Sequence, residues 1–175
     1  MTRLTILCLA LLGACSQPAP KAEEAVRATA QTFTRVPLAI HTSSGTQRFT
    51  VEVAQTAQEQ ERGLMFRKSL DPRGGMLFPM NPPRTASFWM KDTLIPLDMV
   101  FVRTDGTIAF IAANTMPYSR EPISAGVPVS AVLELAGGRA AAIGAKEGDT
   151  VEWGECAGDA GTPPANRDFC PPTTR

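Results

Sequence analysis

The stretch SFWMKDTLIPLDMV, residues 87–100, constrains this chain more than any other. Its apolar residues suit the core of a β-rich fold. Yet Lys91, Asp92 and Asp98 stand among them, and charged side chains are seldom buried without a partner. Read as strand, the alternation puts Phe88 and Met90 on one face and Trp89 and Lys91 on the other. In the next run Leu97, Met99 and Phe101 share a face, and Asp98, Val100 and Val102 share the opposite one. If the two runs pair as a hairpin, Lys91 and Asp98 become cross-strand neighbours beside Trp89, about 5 Å apart. Such a pair could orient a polar ligand against an aromatic wall. It could equally be a partly buried salt bridge that sets the hairpin register. Asp92 reads as a turn residue.

The same period-2 alternation recurs in short pieces. VPLAIHT and QRFTVEVA flank the turn SSG and suggest a hairpin, and MLFPM, TIAFIAA, SAVLEL and the end of KEGDTVEW read as further strands. DPRGG, NPPR and RTDG are turns, in keeping with 15 prolines and 14 glycines. At TAQEQERGL the period changes. Thr56 with Glu59 three residues on forms a capping box, Arg62 suits the last turn, and Gly63 falls where a left-handed residue ends a helix. That predicts one short helix over about 56–62, and AGGRAAAIGA predicts a weaker second helix or a turn. Residues 114–128 form an aperiodic loop of a length often associated with function. The fold class expected is mostly β, a jelly-roll-like sandwich or barrel with one or two short helices.

The N-terminus reads as an address. Arg3 precedes the apolar run LTILCLALLGA, which is far shorter than the roughly 20 residues that span a bilayer. It fits a secretory signal. The run ends in LGAC, which resembles the lipobox of bacterial lipoproteins, with Cys15 as the lipid-attachment residue. The division expected is a signal peptide over 1–14, a lipid-anchored tether over 15–35, a β domain over 36–153 and a tail over 154–175. In an exported protein Cys156 and Cys170 read as a disulfide closing that tail, worth at most about 3 kcal/mol for a loop of this size. Ser16 after the cysteine points to the outer membrane over the inner, with the domain facing the periplasm.

Taken together, ERGLMFRKSL, GGMLFPM, FWMKDTLIPLDMVFV, DGTIAFI, SAVLELAGG and GAKEGDTVEW resemble the domain of unknown function 192 family over roughly residues 36–153. The resemblance implies a compact, mostly β, jelly-roll-like fold. It implies no reaction and no catalytic residues.

Charge narrows the function classes. Lys and Arg together number 17, as do Asp and Glu, and no basic run occurs, which disfavours nucleic acid as a partner. The expected partners are a membrane, through the lipid anchor, and a carbohydrate or other envelope component. The chain reads as a binding or interaction module with Trp89, Lys91, Asp98 and Arg62 as ligand-binding candidates, without cofactor, metal or catalytic residues. For Arg62 the rival reading is a helix cap, and for His41, the only histidine, a solvent-facing strand residue. One alternative is an envelope hydrolase using a carboxylate pair such as Asp98 with Glu134. A second is Cu(I) binding by thioethers drawn from Met65, Met76, Met80, Met90, Met99 and Met116. Methionines in strand-like apolar runs are also ordinary core fillers.

Overall fold

The computed structural model describes residues 33–157. The segments read as signal peptide and tether, apart from the last residues of the latter, and Cys170 with most of the tail lie outside the described residues. Seven strands and two short helices follow in order: β1 Thr34–Thr42, β2 Gly45–Val53, α1 Ala57–Arg62, β3 Met76–Thr85, β4 Leu97–Val102, β5 Ile108–Thr115, β6 Pro128–Ala136, α2 Arg139–Ala142 and β7 Thr150–Trp153. They form one mixed sheet in the order β5-β4-β6-β3-β2-β1-β7. The mostly β expectation with short helices holds. The pairing of β2 with β3 is parallel, and the segment between them, including α1, is the crossover that parallel pairing needs. The two edge strands meet at one end, where a bridge joins Thr107 to Thr150 and the N–H of Val151 donates to the carbonyl of Gly106 at 2.8 Å. The sheet therefore curls round an interior without becoming a closed barrel.

Two cores result, one on each face. The interior core takes residues from all seven strands, among them Leu38, Phe49, Leu77, Val100, Leu133 and Trp153. The outer core lies on β3, β4 and β6, with Met76, Phe78, Met99 and Phe101, and is covered by Leu64, Met90 and the half-buried Phe88. Strand β4 is buried at all six positions, and its alternation divides as the sequence predicts: Val100 and Val102 inward, Leu97, Met99 and Phe101 outward. Each such side chain contributes about 1.5–3 kcal/mol on burial.

The expected hairpin between SFWMK and LDMVFV does not form. Both edges of β4 are taken, one by β5 and one by β6, so residues 87–91 have no free edge to join. They bond instead to the 114–128 loop: Phe88 and Ile123 exchange N–H···O bonds at 2.9 and 2.8 Å, and the N–H of Met90 donates to the carbonyl of Ser119 at 2.9 Å. NPPR is not a simple turn either. It lies within β3, where a register shift between Pro79 and Arg84 absorbs residues that lack N–H donors.

Asp98 is fully buried, and its partners are backbone groups. Its Oδ1 accepts from the N–H of Asn114 at 2.7 Å and of Gly138 at 2.9 Å, and Oδ2 accepts from the N–H of Ala140 at 2.7 Å. Asn114 and Gly138 both have positive φ, +49° and +80°, a backbone setting that turns their N–H groups toward the carboxylate. The carboxylate thus ties β4 to the end of β5 and the first turn of α2. Asparagine at position 98 would set an amide nitrogen against one of these N–H donors. Asp98→Asn is expected to lower the unfolding free energy by about 3 kcal/mol or more in urea titration. A change within about 0.5 kcal/mol would remove Asp98 from this role.

Candidate functional site

The cleft begins with α1. Thr56 caps it as expected: its Oγ1 accepts from the N–H of Glu59, and Glu59 Oε2 accepts from the N–H of Thr56 at 2.9 Å. These bonds hold the exposed Glu59 carboxyl below its ordinary range, the Thr56 N–H chiefly. Gln60 fastens the helix to the sheet, with Nε2 donating to the carbonyls of Ala54 at 3.2 Å and Pro79 at 3.0 Å. Gly63 ends the helix at φ +47° and ψ −132°, a positive φ but not the left-handed helical setting anticipated. A Cβ there would lie 3.2 Å from the ring of Phe78, so the glycine also lets the aromatic ring pack against the helix end.

Between this helix end, the end of β3 and residues 85–93 lies a cavity of about 380 Å³, within the size range of small-molecule sites. Arg62 enters from α1, Arg84 from β3, and Trp89 and Lys91 from the 85–93 segment. Trp89 is half exposed, and the Lys91 ammonium stands 5.6 Å from its ring centroid, within cation–π range. Among the described residues no carboxylate forms an ion pair with Arg62, Arg84 or Lys91. A second concavity of about 400 Å³ lies around Glu52, but Arg67 and Arg35 already pair with that carboxylate.

Glu134 also lines the first cleft. It lies in a row across the outer face of the sheet, Glu52–Met76–Glu134–Met99, so a thioether flanks it on each side. The residue is 5% exposed, and among the described residues no hydrogen bond contributes to the state of its carboxyl group. Burial pushes the carboxyl up to about 8, against a smaller opposing pull from Arg67.

Three of the four ligand-binding candidates read from the sequence therefore meet in one cleft: Arg62, Trp89 and Lys91. Asp98 does not line it. Nor do Asp98 and Glu134 converge as a hydrolytic pair would. They project from opposite faces of the sheet, and both oxygens of Asp98 are taken by backbone donors. Met76, Met80, Met90 and Met99 pack in the outer core, Met65 lines the cleft, and Met116 is exposed. Among the described residues no three His, Cys, Asp or Glu side chains cluster as metal ligands. His41 lies between Thr46 and Glu152, 3.0 and 3.3 Å away. Arg84, inside what reads as a turn, and Glu134 as a cleft residue are the members that sequence reasoning missed. The available signal was an acidic residue inside the apolar run SAVLEL.

The family model that matches residues 39–153 is DUF192, described as an uncharacterized ACR. Among solved structures, a protein of unknown function from Novosphingobium aromaticivorans DSM 12444 is similar, with 46% identity and a TM-score of 0.69 over 71% of this chain and 89% of that one. A protein from Sinorhizobium meliloti 1021, described as a candidate transcription regulator, is 39% identical with a TM-score of 0.68, over 70% and 95% of the two chains. None of the curated proteins matches.

The raised Glu134 value has a consequence for stability. The folded protein holds a proton that the unfolded chain releases between its ordinary 4.5 and about 8. This contribution is complete below the lower value and is lost as pH rises toward the upper one. The unfolding free energy of wild type minus that of Glu134→Gln is expected to fall by about 2–4 kcal/mol across that window. A flat difference in pH-dependent urea titrations would mean that Glu134 is charged in the fold.

Proposed function

We propose, from the premise that this chain belongs to the DUF192 family, that it is a ligand-binding module of the bacterial cell envelope, held to a membrane by lipid on Cys15. The observation that carries the binding reading is the cleft. Three cations that no carboxylate among the described residues pairs with, a half-exposed indole and a buried carboxyl converge on one cavity. Small-molecule sites combine an apolar wall with a few placed polar groups in this way. Envelope carbohydrate is the ligand class that the indole and the surrounding donors suit, since an aromatic face packs on apolar surface while hydroxyls find polar partners.

The anchor rests on LGAC after a short apolar run, and two or more acyl chains give stable attachment. The domain then faces the periplasm, at the outer membrane by the Ser16 criterion. A Cys156–Cys170 bridge belongs to the same reading, because an oxidising compartment keeps such pairs closed. The candidate transcription regulator among the relatives does not redirect it. With a formal net charge of zero and no basic run in its sequence, the chain offers little of the phosphate neutralisation on which DNA affinity depends.

Cys15→Ala is expected to move the protein from the membrane fraction to the soluble fraction; an unchanged distribution would refute the anchor. In calorimetric titration of the full chain against envelope-derived saccharides, Trp89→Ala is expected to weaken binding at least about tenfold. Met116→Ala, a change outside the cleft lining, should leave it unaltered. Equal affinities for wild type and Trp89→Ala would sink the cleft as the site.

A further inference from the structure

We propose that Glu134 is the hydrogen-bond donor at the floor of the cleft, and that the ligand carries an oxyanion, a carboxylate or a phosphate, held between Glu134 and the cations Arg62, Arg84 and Lys91. This rests on the cleft being a ligand site, and it names the chemistry that the site recognises.

Glu134 is a buried group at the cleft whose capacity to donate is unused among the described residues. Buried polar groups are nearly always hydrogen-bonded, and one that is not needs an explanation. Glu134 is more than nine-tenths buried and lines the cleft, and among the described residues burial and the charge of Arg67 act on its carboxyl but no hydrogen bond does. Its neighbours across the sheet, Met76 and Met99, carry thioethers that cannot donate. A charged carboxylate at this place would need a cation bonded to it. Arg67 acts on it only through space, and its guanidinium is already engaged by Glu52. The neutral form has a different requirement: its O–H needs an acceptor, and an oxygen held in the cleft is a far stronger one than the flanking thioethers. Burial favours that neutral form at neutral pH.

A neutral donor at the floor and three cations at the walls are complementary to an anion with acceptor oxygens. The proton stays on Glu134 and is shared in an O–H···O⁻ bond, which is short and strong in a desolvated setting. A cationic ligand would meet the opposite arrangement. Of the other charged groups around the floor, Glu61 on α1 is exposed to solvent, and Arg67 lies on the Glu52 side. Once Glu134 loses its proton, the donor is gone and a negative charge faces the ligand. Affinity is therefore complete at low pH and falls as pH rises through the ionisation of Glu134.

The test uses three ligands that share one sugar ring: D-glucuronate, D-glucose 6-phosphate and D-glucose. Each is titrated calorimetrically into the detergent-solubilised full chain at pH 6.5 and pH 9.5. At least one of the two anions is expected to bind ten times tighter than glucose at the lower pH, and which one does so separates carboxylate from phosphate recognition. Its affinity is expected to fall at least tenfold at the higher pH in wild type. In Glu134→Gln, whose amide donates at every pH, the fall should be less than threefold, with the fold verified by circular dichroism. Glucose binding as tightly as both anions would overturn the oxyanion assignment and leave the cleft reading standing. An equal pH dependence in wild type and Glu134→Gln would overturn the role of Glu134. Failure of all three ligands to bind overturns this inference, and the cleft reading falls with it only if the saccharide titrations also fail.

Discussion

A single carboxylate held by three backbone N–H groups organises this domain. Asp98 accepts three backbone N–H groups from residues 16, 40 and 42 positions away, and so pins the end of β5 and the start of α2 to β4. A buried anion is tolerated there because its solvation is replaced by dipoles already fixed in direction, two of them turned inward by positive φ. Close packing reinforces the arrangement. A Cβ on Gly137 would come within 2.7 Å of Asn114 Oδ1 and 2.8 Å of Pro96 Cβ, so the chain passes Asp98's partners with no room to spare. With β4 fixed between β5 and β6, both of its faces must be covered, and the two-core architecture follows.

The two covers differ in kind. The interior face is closed by the sheet itself, since every strand contributes an apolar side chain and the edges meet at Thr107 and Thr150. The outer face is closed largely by irregular chain: Leu64 just after α1, the 85–93 segment and the loop bonded to it. Irregular cover leaves gaps, and the cleft lies where the end of α1 and the end of β3 diverge. That accounts for Glu134 surviving between the thioethers of Met76 and Met99. A carboxyl with a neutral form and an opening beside it costs far less than one sealed in hydrocarbon.

What could be read from the sequence was what local chemistry decides. The Thr56–Glu59 capping box, the opposite facing of Leu97 and Asp98, and the separation of Phe88 from Trp89 all depend on residues a few positions apart, and all were legible. Phe88 does turn inward, its ring 5.0 Å from that of Phe78 in an edge-to-face contact, while Trp89 turns out. The pairing of Lys91 with Asp98 failed for a nonlocal reason. Nothing in residues 87–100 says that both edges of β4 are claimed by strands that come later in the chain. Arg84 was hidden by two prolines that imitate a turn. Glu134 was visible as an acid among apolar residues, but only the sheet order could tell which face it would share.

The positions of the two indoles give the molecule a built-in pair of optical reporters. Trp153 is sealed in the interior core, so its emission follows the integrity of the curled sheet. Trp89 stands half in solvent at the cleft with a lysine ammonium against its ring, where emission responds to anything that displaces the charge or the water. With no third tryptophan in the sequence, the two signals separate by wavelength, blue for the sheltered ring and red for the wet one. Occupancy and folding can thus be watched at once, in the same cuvette, without attaching a dye.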